Sequence, residues 1–211
     1  MTETKKKILM VAAKEFADRG YNGATIRCIC NRATVNVASI NYHFKNKESL
    51  YKEVFEFLFS ETAGEDIFSA QWDCTFAGWK AMIRKWVEKI VIDITQENPM
   101  NQCKWRIFGR EMQDQSKIFP NIYENLIKPR LSNLVAHFRK VLPPKTCEDD
   151  IYIRAFSVIA SCIFYFHDRV LVNIAFPERK FISENQDKII DHIANIACIG
   201  ISYEKQGEYG K

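Results

Sequence analysis

Three potential helix caps, Thr25, Asn36 and Asn46, stand eleven and ten residues apart near the start of the chain, and they constrain its fold more than any other feature. Each precedes a short run with apolar side chains at helical spacing, where a side-chain oxygen can take one of the amides that a helix start leaves unbonded. A first helix runs from about Thr4 to Arg19, with Ile8, Ala12 and Phe16 on one stripe, Leu9 and Ala13 beside them, and Gly20 as its stop. After the turn residues Asn22-Gly23, Thr25 opens a second helix that carries Ile26, Ile29 and Ala33 inward. A break at Thr34-Val35 precedes a third helix, Val37 to His43, capped by Asn36. Two short helices about three residues apart, packed on a longer one, make a helix-turn-helix. Asn46 then opens a fourth helix with Leu50, Val54, Phe55, Leu58 and Phe59 facing inward.

The rest of the chain reads as helix too. Alternating β-branched stretches are absent, and there are only eight Gly and six Pro. Beyond Gly64 the periodicity predicts helices over Phe76–Gln96, Met100–Gln113, Phe119–Leu142, Asp149–Ile174 and Ser183–Tyr203. Pro129 should kink the third of these, and Pro143-Pro144 and Pro177 mark connections. The expected fold is all-α: a helix-turn-helix domain over residues 1–48 joined to a larger helical domain over 49–211. The last two helices are the most apolar, with Phe156, Ile159, Ile163, Phe166 and Val170 on one and Ile189, Ile193, Ile196, Ala197 and Gly200 on the other. Such a pair serves as core or, in a protein that reads two half-sites, as a dimer seam.

Charge is divided unevenly. Residues 1–52 hold ten Lys or Arg against four acids, a balance of +6, while the remaining 159 hold 20 against 22, a balance of −2. A basic segment fused to a near-neutral one suits an N-terminal part that meets a polyanion. Within it, Lys47 occupies the first position of the fourth helix, where a cation opposes the helix dipole. A DNA phosphate would compensate, gripped by the lysine and the free amides together. The alternative is a solvated lysine, with Glu48 supplying the favourable charge.

Seven scattered cysteines without a CxxC pair argue against a disulfide framework, and Cys28-x-Cys30 finds no second pair to complete a metal site. The longest apolar run, Ala155 to Phe166, has 12 residues, short of the roughly 18–20 that span a bilayer. The N-terminus lacks the apolar stretch of a signal peptide, so a soluble cytoplasmic protein without membrane contact is expected. None of the four histidines has Glu three positions earlier, and HExxH, GxSxG, GxGxxG and GxxxxGK are absent. No enzyme, metal or cofactor is expected.

From ILMVAAKEFADRGYNGATIRCICNRA through TVNVASINYHFKNKESLY, about residues 8–51, the chain resembles the TetR family of transcriptional regulators. Phe16, Gly20-Tyr21, Thr25, the Tyr42-His43-Phe44 trio, Lys47 and Leu50 fall at the family's spacing without a gap. Thr34 stands where the family usually has Gly, and Asn41 where it often has Tyr. Further on, FGREMQDQSKIFPNIYENLIKPRL and SVIASCIFYFHDRVL look like the CecR-like subgroup, which INYHF also fits.

The resemblance implies a homodimer bound to a double-stranded DNA operator and released by a small-molecule effector. Thr25, Tyr42, His43 and Lys47 would grip phosphates. Arg27, Asn36, Val37, Ala38, Ser39 and Asn41 would face the major groove, with Arg27 suited to guanine, Asn41 to adenine, and Val37 or Ala38 to a thymine methyl. Ile40 and Phe44 should point inward, as would His43 if it were a core histidine. Lys5-Lys6-Lys7 would track the DNA backbone or the minor groove, or form a solvated tail. Trp79, Trp86, Trp105, Phe108, Arg110, Glu111 and His167 are the candidates to line an effector cavity, against plain core for the aromatics and mutual pairing for Arg106, Arg110 and Glu111. A regulator controlled by a protein partner, or by oxidation of Cys28 or Cys30, is the alternative.

Overall fold

The caps do what their positions predict. In the computed structural model, which describes residues 1–60, 75–167 and 169–207 (Phe166, His167 and 199–207 by backbone alone), Thr25 Oγ1 accepts from the Cys28 amide at 3.2 Å. Asn36 Oδ1 accepts from the Ser39 amide at 2.8 Å, and Asn46 Oδ1 from the Ser49 amide at 2.9 Å. They open α2 (Ile26–Ala33), α3 (Val37–Phe44) and α4 (Lys47–Phe59). Helix α1 (Glu3–Gly23) starts from Thr2, whose hydroxyl accepts from the Lys5 amide at 3.3 Å. Gly20 interrupts it with φ 69° and ψ 176°, a backbone that only glycine adopts cheaply, so the expected stop is a break within the helix.

The remaining helices are α5 (Phe76–Thr95), α6 (Pro99–Gln113), α7 (Phe119–Ile122), α8 (Lys128–Val141), α9 (Glu148–His167), α10 (Arg169–Ala175), α11 (Phe181–Glu184) and α12 (Gln186–Gly207). No strand occurs among the described residues. Three expected helices are corrected. Phe119–Leu142 is α7, a π-helical turn over Tyr123–Ile127 and α8; Pro129, at the second position of α8, has no amide to continue an α-helical ladder, and the wider turn lies just ahead of it. Asp149–Ile174 is α9 followed by α10, and Ser183–Tyr203 is α11 followed by α12.

The helices group into two compact units: those of residues 3–59 with those of 99–127, and those of 76–95 with those of 128–207. This grouping does not follow the expected division at residue 48, because α4 and α6 both pack on α1. In the first unit, Ile8, Ala12 and Phe16 of α1 meet Ile29 and Ala33 of α2, Ile40 and Phe44 of α3, Leu50, Tyr51, Val54 and Phe55 of α4, and Ile107 of α6, all buried. In the second, α5 packs on α9 and α12, burying Met82, Ile83, Val87 and Val91 with Ile151, Ala155, Val158 and Cys162, and with Ile189, Ile190, Ile193 and Ala197. Of the stripe expected over Asp149–Ile174 as core or seam, Phe156 is 51 % exposed, Val170, on α10, is exposed and Ile159 and Ile163 are half-buried, while the side chain of Phe166 lies outside the described residues. No single described helix is long and apolar enough to cross a membrane.

Candidate nucleic-acid interface

Helix α3 divides its residues by the 3.6 period. Ile40 and Phe44, four apart, are buried in the common core, with α3 packed on α2 and α4, whereas Asn36, Val37, Ala38, Asn41 and Tyr42 are exposed. Tyr42 is 84 % exposed and Val37 47 %, a large ring and a branched aliphatic left in water on the same helix as the exposed amide of Asn41. Ser39 is half-buried and donates its hydroxyl to Asn36 Oδ1 at 2.9 Å, so it stiffens the cap. His43, half-buried, has its ring 5.0 Å from that of Tyr42 and 5.9 Å from that of Phe44. Thr25 and Arg27 at the start of α2 are exposed.

Two backbone turns hold α3 at its angle. Thr34 adopts φ 56°, ψ 48°, with its amide bonded to Asn31 O at 3.3 Å and the Val35 amide to Cys30 O at 3.0 Å. That is a Schellman close carrying threonine where glycine is the usual residue. At the other end Lys45 has φ 65°, ψ −50°, and the Asn46 amide bonds Phe44 O at 2.7 Å, a strained three-residue turn that passes the chain directly into α4.

Lys47 is half-buried and pairs with no acid among the described residues. Its ammonium lies 4.6 Å from the Tyr21 ring centroid and 3.5 Å from Asn22 O. Burial, and then the charge of Lys117, hold its pKa below the ordinary lysine value. Glu48 is paired with Lys117, from the connection between α6 and α7. Lys5 belongs to the α1 helix, not to a tail: it meets Glu53 at 2.6 Å and stands 5.5 Å from the Phe44 ring centroid.

Helix α2 is fastened to α1 by a completely buried acid that the apolar pattern gives no reason to expect. Glu15 receives Arg32 at 2.6 Å and Arg19 at 2.9 Å. Burial raises its pKa, but hydrogen bonds from Arg32 and Cys28 and the two guanidinium charges outweigh that and leave it below the ordinary carboxylate value.

The candidate effector residues are divided between the two units. Trp105, Phe108, Arg110 and Glu111 are on α6; Trp79 and Trp86 are buried on α5 in the other unit; the side chain of His167 lies outside the described residues. Trp105 and Phe108 form an aromatic cluster with Phe59, ring centroids 5.6–6.1 Å apart, over which the buried Lys104 ammonium is placed at 5.0 Å from Phe59 and 5.4 Å from Trp105. Arg106, Arg110 and Glu111 do not pair with one another. Arg106 meets Asp18 at 3.8 Å, and Arg110 donates to the carbonyls of Ala17 at 3.1 Å and Asp18 at 3.0 Å, where Gly20 breaks α1. Buried Glu111 accepts from the Tyr51 hydroxyl at 2.7 Å and the Ser116 amide at 3.0 Å, and burial followed by that carboxylate pushes the tyrosine pKa strongly upward. Sequence spacing could not show these pairings, since Tyr51 and Glu111 lie 60 positions apart and Ala17 and Arg110 lie 93 apart.

The pattern of bacterial regulatory proteins of the tetR family matches residues 8–54, and that of the C-terminal domain of the HTH-type transcriptional dual regulator CecR matches residues 80–201, more than half of the chain. CecR of Shigella flexneri is 26 % identical over 141 residues, covering 63 % of this chain and 61 % of CecR. The negative regulator IcaR of the biofilm operon icaADBC in Staphylococcus epidermidis is 36 % identical over 56 residues, 26 % of this chain and 30 % of IcaR. The match thus spans less than two thirds of either relative. Among solved structures, AibR in complex with isovaleryl coenzyme A and operator DNA superposes with a TM-score of 0.66 at 18 % identity, covering 92 % of this chain and 97 % of AibR, which shows a shared fold. The family is one of transcription regulators, not enzymes. With a tetR-type helix-turn-helix at residues 8–54 and a CecR-type domain at 80–201, the chain belongs to the TetR family of transcriptional regulators, in its CecR-like subgroup.

Proposed function

We propose that this regulator is a cytoplasmic repressor that binds a palindromic operator as a homodimer and leaves it when a small-molecule effector binds. The observation that carries the DNA reading is the outward face of α3, where Val37, Ala38, Asn41 and an 84 %-exposed Tyr42 are exposed, as is Arg27 in the first turn of α2. Residues 1–48 form the reading head. Asn36, Val37, Ala38, Asn41 and Arg27 meet base edges, with Ser39 bracing the cap, while Thr25, Tyr42, His43 and Lys47 meet phosphates. Lys47 has no acid to leave, so a phosphate replaces only a long carbonyl contact and a ring face.

Residues 49–211 regulate and dimerise. The apolar stripe that α9 leaves exposed, Ile153, Phe156 and their neighbours, together with Ile196 of α12, supports a seam between two copies. The effector reading draws support from AibR, solved with an acyl coenzyme A and its operator, and from the buried Trp79 indole N–H, which has no hydrogen-bond acceptor among the described residues. Arg110 and Glu111 serve this scheme as couplers: they tie α6 to the broken end of α1 and to α4, so a displacement of α6 reaches the reading head. IcaR, a negative regulator, supports repression.

The test is a pair of substitutions read by DNA binding against salt. Lys47→Ala should weaken binding to every duplex alike and lower the slope of log K against log salt by about 1 for each phosphate it no longer neutralises. Asn41→Ala should alter preference among sequences with the slope kept. An unchanged slope for Lys47→Ala would show that Lys47 does not hold a phosphate.

A further inference from the structure

Lys117 belongs by sequence to the regulatory half, 70 positions after Lys47, yet it stands at the corner where α4 begins. Its exposed ammonium pairs with Glu48, the second residue of α4. Its charge also bears on Lys47 and on Tyr21, whose ring lies under the Lys47 ammonium. Two ammonium groups therefore act on one corner of the protein, and the carboxylate of Glu48 pairs with one of them, Lys117. Among the described residues Lys47 has no acid of its own, so the corner suits an external anion.

The backbone under Lys117 is fixed while its side chain is free to turn. The preceding amide, at Ser116, donates to buried Glu111 at 3.0 Å, and the next, at Ile118, donates to Ser116 Oγ at 3.4 Å. Ile118 is buried, and the Phe119 amide closes on Ser116 O at 2.9 Å. Glu111 in turn holds Tyr51 on α4. Lys117 is thus stationed at a set position relative to α4, and redirecting it costs only side-chain rotation.

We propose that Lys117 is a further ligand for the DNA backbone: when a duplex docks, its ammonium leaves Glu48 for the phosphate beside the one held by Lys47. The exchange is cheap because an exposed ion pair contributes little and is screened by salt, whereas a phosphate contact also releases a condensed counterion. It also gives the regulatory half a direct hand on the operator. Any shift of α6 that moves Glu111 and Ser116 carries Lys117 off the backbone.

This inference rests on the reading that the Lys47 corner faces DNA, and the experiment separates the two. Binding of the full chain to a mixed-sequence duplex of about 30 bp is measured between roughly 50 and 200 mM salt for the wild type, Lys47→Ala, Lys117→Ala, Lys117→Arg and the double alanine variant. Lys117→Ala should lower the salt slope by about 0.9 for each Lys117 engaged and weaken binding roughly fivefold at about 0.1 M salt, Lys117→Arg should restore both, and the double variant should show the sum of the two single effects. Because the side chain is exposed, thermal unfolding of Lys117→Ala should match the wild type. A reduced slope for Lys47→Ala with an unchanged one for Lys117→Ala overturns the Lys117 inference and leaves the DNA face standing. Unchanged slopes for both overturn the inference together with the phosphate role of Lys47.

Discussion

Glu15 shows how much of the reading head depends on one side chain. Buried on α1, it holds both Arg19 on its own helix and Arg32 on α2. Glu15→Gln keeps the shape and removes the charge; with both guanidinium ends about half-exposed the loss is discounted to about 1–2 kcal/mol at neutral pH, measured by denaturant unfolding. Because the folded pKa lies below the unfolded value of 4.5, the stabilisation is present above that pH and is lost as pH falls through the folded value. The wild-type advantage over Glu15→Gln should accordingly shrink below about pH 4.5 and vanish in stronger acid. Cysteines give the opposite lesson. Burial pushes Cys162 up to about 12 and Cys198 up to about 11, and raises Cys30 and Cys103 as well, so these thiols are poor nucleophiles and offer oxidation no easy target. At this scale local chemistry was legible in sequence and distant chemistry was not. Thr25, Asn36 and Asn46 reach amides three residues ahead, whereas Glu15 meets an arginine 17 positions away and Glu111 a tyrosine 60 away, separations that only packing decides.

Between α2 and α4 the chain makes two turns with positive φ at residues that resist it, and both aim α3. Thr34 closes α2 as a left-handed residue despite its branched Cβ, so Thr34→Gly should relieve more strain than the added freedom of the unfolded chain costs. The expected gain is about 0.5–1 kcal/mol, seen as a rise of roughly 1–4 °C in Tm. A fall in Tm would mean that the threonine is held by interactions worth more than its strain. At Lys45 the tight turn leaves α4 no slack to rotate away from α3, and it brings Asn46 into capping position at once. Helices were legible here because apolar residues recur with the helical period and polar caps precede them. Their interruptions were less so. Pro129 predicted a kink, and the disturbance takes the form of a π-helical turn over Tyr123–Ile127, ahead of the proline, which no periodicity announces.

At the scale of the whole molecule, reading an operator with two half-sites takes two copies acting together. Helix α9 buries Ile151, Ala155, Val158 and Cys162 and leaves Tyr152, Ile153 and Phe156 uncovered, so a helix whose sequence suited either core or seam has two apolar faces, one used within the chain. Sequence could not separate them because both repeat with the same period, offset by about one residue. Phe156→Glu, on the uncovered face, should keep the helical content by circular dichroism while converting a dimer to a monomer in light scattering, removing the concentration dependence of Tm and reducing DNA affinity by about a hundredfold or more because the second half-site no longer contributes. The proposed homodimer on a palindrome is tested most directly by selection of duplexes from a random-sequence pool by the purified protein, followed by sequencing. An inverted repeat whose half-sites lie about 34–36 Å apart, or a multiple of that, is the expected result. Recovery of unrelated sequences, or of a single half-site without its mirror, would contradict it.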